Sequence, residues 1–146
     1  MAIFIDTNIP IYAGGGEHPL KEPSLEVLAL IARRPGAFAT DAEVLQELLH
    51  RYVALGRWSQ GREVFQRFAA LMAQRVEAIH AVDIETAATL ADQHSGLAAR
   101  DLVHVAVMAR IGSAQIVSAD RGFDRLAELE RLDPANVGAW RIAVEA

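Results

Sequence analysis

Ala2-Ile3-Phe4-Ile5-Asp6-Thr7-Asn8-Ile9 opens the chain with four apolar residues that run without alternation into an acid. A continuous apolar run this short reads as a strand buried on both faces rather than as part of a helix. Its counterpart lies far along the chain, where Gln115-Ile116-Val117-Ser118 leads to Asp120. Residues 37–40 and 76–81 read as two further strands. Helices are expected at 24–34, 41–55, 59–75, 83–94 and 99–111. In the second of these, Val44, Leu45, Leu48, Leu49, Tyr52 and Val53 gather on one face. Pro35-Gly36, Gly56 and Ser95-Gly96 interrupt the pattern between elements. Strands alternating with helices imply an α/β fold, a parallel sheet covered on both faces. After Pro134 the pattern is too weak to assign.

The 146 residues suit a single domain, 1–146, with 52% apolar and 23% charged residues, a composition that packs a core. No apolar run reaches the roughly 18–20 residues that span a bilayer. The N-terminal segment lacks the basic region and cleavage site of a secretion peptide. The absence of cysteine excludes a disulfide scaffold and thiolate metal sites. These features set a cytoplasmic location, with no membrane contact, as the expectation. A net charge of −5 makes a poor general nucleic-acid glue, so RNA contact must rest on local patches or bound cations.

In open parallel sheets, ligands bind beyond the carboxyl ends of the strands. Asp6 follows the first strand and Asp120 the fourth. Glu47, in the second turn of the helix after strand two, and Asp101, at the start of the helix before strand four, face the same edge. Carboxylates converging there repel one another unless a cation lies between them. Mg2+, with Mn2+ as substitute, is the hard ion such oxygens accept. Each acid also has a plainer reading. Asp6 could cap a short helix near Pro10, and Glu47 could pair with Arg51 at i+4. Asp101 could complement a helix N-terminus, while Asp120 and Asp124 could belong to a surface turn. Thr40-Asp41-Ala42-Glu43 has capping-box spacing, which gives Glu43 a structural task and leaves Glu47 as the better ligand. His104, among apolar neighbours, reads as packed or hydrogen-bonded at the cleft wall.

Arg51, Arg57, Arg62, Arg67 and Arg75 share one stretch with Trp58, Phe65, Phe68 and a single acid, Glu63. Two readings stand side by side. Arg51, Arg57 and Arg62 form an RNA-binding face with stacking aromatics, or the stretch is an ordinary amphipathic helix pair. Gly14-Gly15-Gly16 is no phosphate loop, since no Gly-Lys-Ser/Thr follows. No His-x-x-x-His pair supports zinc.

Ile-Asp-Thr-Asn-Ile at 5–9, the segment 40–49 ending in Gln46-Glu47-Leu48-Leu49, Arg100-Asp101-Leu102-Val103-His104 and Ser118-Ala119-Asp120-Arg121-Gly122-Phe123-Asp124 occur in order and at related spacing. Together they resemble the four motifs of PIN-domain nucleases, specifically the VapC-like toxins of toxin–antitoxin pairs. The resemblance covers about residues 3–134. It implies a three-layer α/β/α PIN-like fold with strand order near 3-2-1-4-5. It implies Asp6, Glu47, Asp101 and Asp120 as catalytic acids, with Asp6, Asp101, Asp120 and Asp124 as metal ligands. Asn8 and Ser118 would support them, Ser118 standing where Thr is more usual. The activity implied is Mg2+-dependent endoribonuclease cleavage by activated water. The partners implied are RNA, a cognate antitoxin and a second copy of the chain. The antitoxin would lie across helices 24–34 and 41–75 and aim a basic side chain at the acids, with Leu55, Trp58 and Phe65 as apolar contacts. Phosphotransfer domains that also place Asp after strand one fit less well. The haloacid-dehalogenase type needs Asp-x-Asp where Asn8 stands, and the receiver type needs a late lysine where Lys21 is the only one. A degenerate PIN-type scaffold would have lost acids that this chain retains.

Overall fold

The structure, a computed structural model, describes residues 1–146. Its strands are β1 (Ile3–Ile5), β2 (Phe38–Asp41), β3 (Val76–Glu77), β4 (Gln115–Val117) and β5 (Glu130–Leu132). They form one sheet in the order β3-β2-β1-β4-β5, parallel at every pairing. The helices are α1 (Asn8–Gly14), α2 (Lys21–Arg33), α3 (Ala42–Ala54), α4 (Trp58–Leu71), α5 (Ala81–Gln93), α6 (Ala99–Ile111) and α7 (Val137–Glu145). They flank the sheet, with α1 against α2, α3 against α4 and α5 against α6. This is the α/β/α architecture and strand order that the motifs imply. No helix is long and apolar enough to cross a membrane.

β1 is the centre of the sheet. Ile3 registers with Phe38 of β2, while Phe4 and Ile5 register with Ile116 and Val117 of β4. Phe4, Ile5, Ile116 and Val117 are fully buried, as strands covered on both faces require. The chain builds β2 and β3 on one side of β1 and then crosses to build β4 and β5 on the other. That reversal opens a crevice at the carboxyl ends of β1 and β4. At the α3–α4 crossing, Gly61 is essential to the approach: a Cβ there would fall 2.1 Å from Cγ of Tyr52.

Several boundaries differ from the sequence reading. α2 begins at Lys21 rather than at 24, because Pro23 sits in the first turn, where no intrahelical donor is needed. α4 ends at Leu71, and the chain turns through Gln74, whose φ is 71°. β3 spans only Val76–Glu77, since α5 starts at Ala81, with Asp83 accepting from the His80 backbone N–H at 2.8 Å. α6 occupies 99–111 as expected and stops at Gly112, which is left-handed with φ 74°. The unassigned tail forms α7, whose Trp140 donates from Nε1 to the Asp133 carbonyl at 2.8 Å.

Candidate active site

Asp6 leaves β1 buried and firmly held. The Thr7 backbone N–H donates to its Oδ1 at 2.8 Å. Its Oδ2 accepts from Ser118 Oγ at 2.6 Å and from Asn8 Nδ2 at 3.1 Å. Asn8 also donates to Ser118 Oγ at 3.0 Å and accepts from the Ala119 backbone at 3.2 Å. Ser118 Oγ in turn accepts from the Asp120 backbone N–H at 3.0 Å. These bonds tie the ends of β1 and β4 together and set Asp6 beside Asp120. Asp120 itself closes a turn by accepting from the Gly122 backbone at 2.8 Å.

One pocket of about 470 Å³ at this edge is lined by Asp6, Glu47, Asp101 and Asp120, with Arg51 and Arg100 at its rim. Burial raises the Asp6 pKa, an effect that His104 and the Ser118 bond offset only in part. Burial also raises Asp101, and with the nearby charges of Asp6 and Asp120 pushes it up to about 7. Glu47 is lowered: burial opposes its charge, but the hydrogen bond and charge of His104 outweigh that.

The capping box at Thr40–Glu43 is not present. Thr40 is the third residue of β2, and its hydroxyl donates to the Ile5 carbonyl at 2.9 Å, sealing β1 to β2. Asp41 is the cap instead, accepting from the Val44 backbone at 2.9 Å. Glu43 turns toward Arg100, 3.9 Å away, and burial raises its pKa. The other Asp41 oxygen meets His104 Nδ1 at 2.8 Å, and His104 Nε2 lies 3.3 Å from Glu47 and 3.9 Å from Asp6. Burial disfavours charge on His104, but the bonds to Asp41 and Glu47 prevail and its pKa is pushed up to about 10. An imidazole with a carboxylate on each nitrogen donates from both.

Asp124 stays outside the pocket. It is exposed and paired bidentately with Arg131, at 2.9 and 3.2 Å, which lowers its pKa. Arg131 also donates to the Ser118 carbonyl at 3.1 Å, so the pair braces the end of β4 rather than adding an acid to the site. Among the arginines, only Arg51 reaches the pocket from the 51–75 stretch, while Arg57 and Arg62 are exposed away from it. Trp58 and Phe65 meet edge to face at 5.8 Å and pack against the core, as does buried Phe68. Arg100 and Asp41 were not singled out from sequence. The position of Arg100 beside Asp101 on the first turn of α6 is the signal that could have found it.

A divalent cation fits these residues. Asp6, Asp101 and His104 offer donor atoms within 4.8 Å of one another. With both His104 nitrogens already engaged, the free donors are carboxylate oxygens, the set that suits Mg2+ or Mn2+. The near-neutral pKa of Asp101 reflects burial together with the charges of Asp6, Asp120 and Glu47, which His104 offsets only in part.

Strand order, crevice and acids together are those of one class of protein. The PIN domain family model matches residues 3–129, and the chain belongs to the PIN-domain family. Within it the curated relatives are VapC proteins. Ribonuclease VapC13 of Mycobacterium tuberculosis is 37% identical over 130 residues, 89% of this chain and 98% of that protein. Ribonuclease VapC23 of the same species is 39% identical over 118 residues, 81% of this chain and 92% of the relative. Among solved structures, VapC20 of M. tuberculosis, described as a sarcin-ricin loop cleaving toxin, superposes with TM-score 0.68 at 22% identity over 86% of this chain and 95% of that one. VapBC2 from Rickettsia felis, bound to a promoter DNA fragment, gives 0.69 at 19% identity over 91% and 100%. These two show likeness of fold.

Proposed function

We propose that this chain is a divalent-cation-dependent endoribonuclease and the toxin of a toxin–antitoxin pair. The observation that carries the reading is the convergence of Asp6, Glu47, Asp101 and Asp120 on one crevice. Its closest support from outside is the naming of the curated relatives as ribonucleases. Asp6, Asp101 and Asp120 would hold Mg2+ together with Glu47, which is ionised beside them. The cation would supply Lewis-acid activation of water and neutralise charge on the scissile phosphate. Asp6 is kept in place by Ser118 and Asn8, and Arg51 and Arg100 are poised at the rim to take flanking phosphates.

The antitoxin reading draws on a second feature. An apolar groove of about 450 Å³ runs between α1, α2 and α4, walled by Ala13, Leu25, Leu28, Val64 and Leu71. Asn8 and Ile11 of α1 line the acid pocket, while Pro10 and Ala13 line the groove. A segment laid along α1 would therefore bury apolar side chains and reach the acids with a basic one. Leu55, exposed, remains available to a partner, whereas Trp58 and Phe65 are committed to the core. A homodimer would cover exposed Leu49, Val53, Val82 and Ile84.

Incubation of purified chain with structured RNA, in Mg2+ and in chelator, tests the nuclease reading. Cleavage is expected in Mg2+ alone and is expected to vanish in Asp6→Asn and Asp120→Asn. RNA binding without cleavage under all conditions would favour the scaffold alternative.

A further inference from the structure

Of the four acids, Glu47 is the one hydrogen-bonded by a buried histidine, with Thr7 also favouring its charged form, while the Asp101 carboxyl has no such bond. Asp6 has bonds from Thr7, Ser118 and Asn8, and Asp120 has one from Gly122. Glu47 instead reaches the pocket on a long, rotatable side chain from the second turn of α3. Its hydrogen bond comes from His104 Nε2, at 3.3 Å. His104 is itself immobilised: it is fully buried, its ring lies 5.3 Å from that of Phe4, and Nδ1 is bonded to Asp41 at 2.8 Å. Asp41 in turn is fixed by the Val44 backbone at 2.9 Å. The path thus leaves α3 at its cap, passes through one side chain of α6, and returns to α3 in its second turn at Glu47.

We propose that His104 is a positioning residue, which uses one ring nitrogen to take its bearing from the α3 cap and the other to aim the Glu47 carboxylate into the pocket. A free Glu47 has three torsions to settle, and a cation binding there must order them; His104 removes that cost before binding. His104 touches neither cation nor RNA in this scheme. The inference rests on the cation reading of the four acids.

Chemistry provides two replacements that separate the arms. The amide nitrogen of asparagine stands near the place of Nδ1, and that of glutamine near the place of Nε2. His104→Asn keeps the bond to Asp41 and loses Glu47; His104→Gln keeps Glu47 and loses Asp41. The full chain and both variants are titrated calorimetrically with Mn2+ and melted without it. Residues that orient metal ligands typically cost about 10–100-fold in metal affinity when removed. Both variants remove the buried imidazolium charge and are expected to melt lower than wild type, but only His104→Asn is expected to bind Mn2+ at least tenfold more weakly. His104→Gln is expected to bind nearly as wild type does. The double variant His104→Asn/Glu47→Gln should bind no more weakly than Glu47→Gln alone, since the two substitutions break one link. Wild-type affinity in His104→Asn, affinity loss that simply tracks melting in both variants, or an additive double variant would each overturn the proposal. A wild-type chain that binds no Mn2+ would instead overturn the cation reading, and the inference with it.

Discussion

At the scale of single residues, the site is a charge imbalance. Asp101 carries it most plainly, with a folded-state pKa near 7 against 3.8 for the free side chain. Between those values the folded chain holds a proton that the unfolded chain has lost. Stability therefore falls as pH rises through that window. His104 works in another range. Its pKa is raised from 6.5 to about 10, so its contribution is complete below 6.5 and is lost as pH climbs toward 10. Asp101→Asn should remove the first decline and leave the second. Melted in chelator, that variant should match wild type near about pH 4 and exceed it by about pH 8. Mg2+ should then stabilise wild type more than the variant, because a ligand stabilises only the form that binds it. A difference between the two proteins that does not grow with pH would remove Asp101 from the site. The acids themselves were readable from sequence because strand ends and helix starts put them on one edge. The partners of His104 were not, since Asp41 and Glu47 are 63 and 57 residues away from it.

Among the elements, the entry to α3 shows where reading by pattern stopped short. Thr40 and Asp41 are both good caps, and Glu43 completes a capping box only if Thr40 is chosen. The choice is made by the sheet. Thr40 still belongs to β2 and turns its hydroxyl to β1, so the cap falls to Asp41. Asp41 has two tasks, and their energies differ. Loss of an N-cap costs about 1 kcal/mol. Stranding a buried charge by removing its partner costs about 3–5 kcal/mol. Asp41→Ala should therefore cost clearly more than a cap in urea unfolding, while Glu43→Gln should stay within about 0.5 kcal/mol of wild type. Equal, small losses would mean that the Asp41–His104 bond adds nothing to stability. β5 escaped pattern reading for a related reason. Glu130-Arg131-Leu132 offers neither an apolar run nor a clean alternation, and it is an edge strand that β4 alone pairs with. Its place in the order came from the motifs' resemblance. By contrast, β1 and β4 were legible because their cores are uninterrupted apolar sequence, and α6 because His104 alone breaks the apolar run from Leu102 to Ala109.

On the scale of the whole molecule, a net charge of −5 and an acidic pocket make restraint by a basic partner segment physically reasonable. The arginine-rich stretch does not form one continuous face: Arg51 lies at the pocket, Arg67 beside the apolar groove, and Arg75 caps the end of α4 through the Leu71 carbonyl at 2.7 Å. What does run continuously is α1, which walls the acid pocket and the groove at once. If an antitoxin segment follows it, Leu25 on the groove wall is the residue to change. Leu25 is 39% exposed in the free chain, so Leu25→Asp should leave the melting temperature within a few degrees of wild type, as surface substitutions do. In the complex the same carboxylate would be buried against apolar side chains without a partner, an arrangement that costs several kcal/mol. Expression of the wild-type chain alone should arrest growth, and co-expression of the adjacent gene's product should restore it and co-purify with the chain. Co-expression with Leu25→Asp should give neither rescue nor co-purification. An intact complex with this variant would move the antitoxin off the groove. Harmless expression of wild type, with no neighbouring product retained, would end the toxin reading while leaving the nuclease reading to its own test.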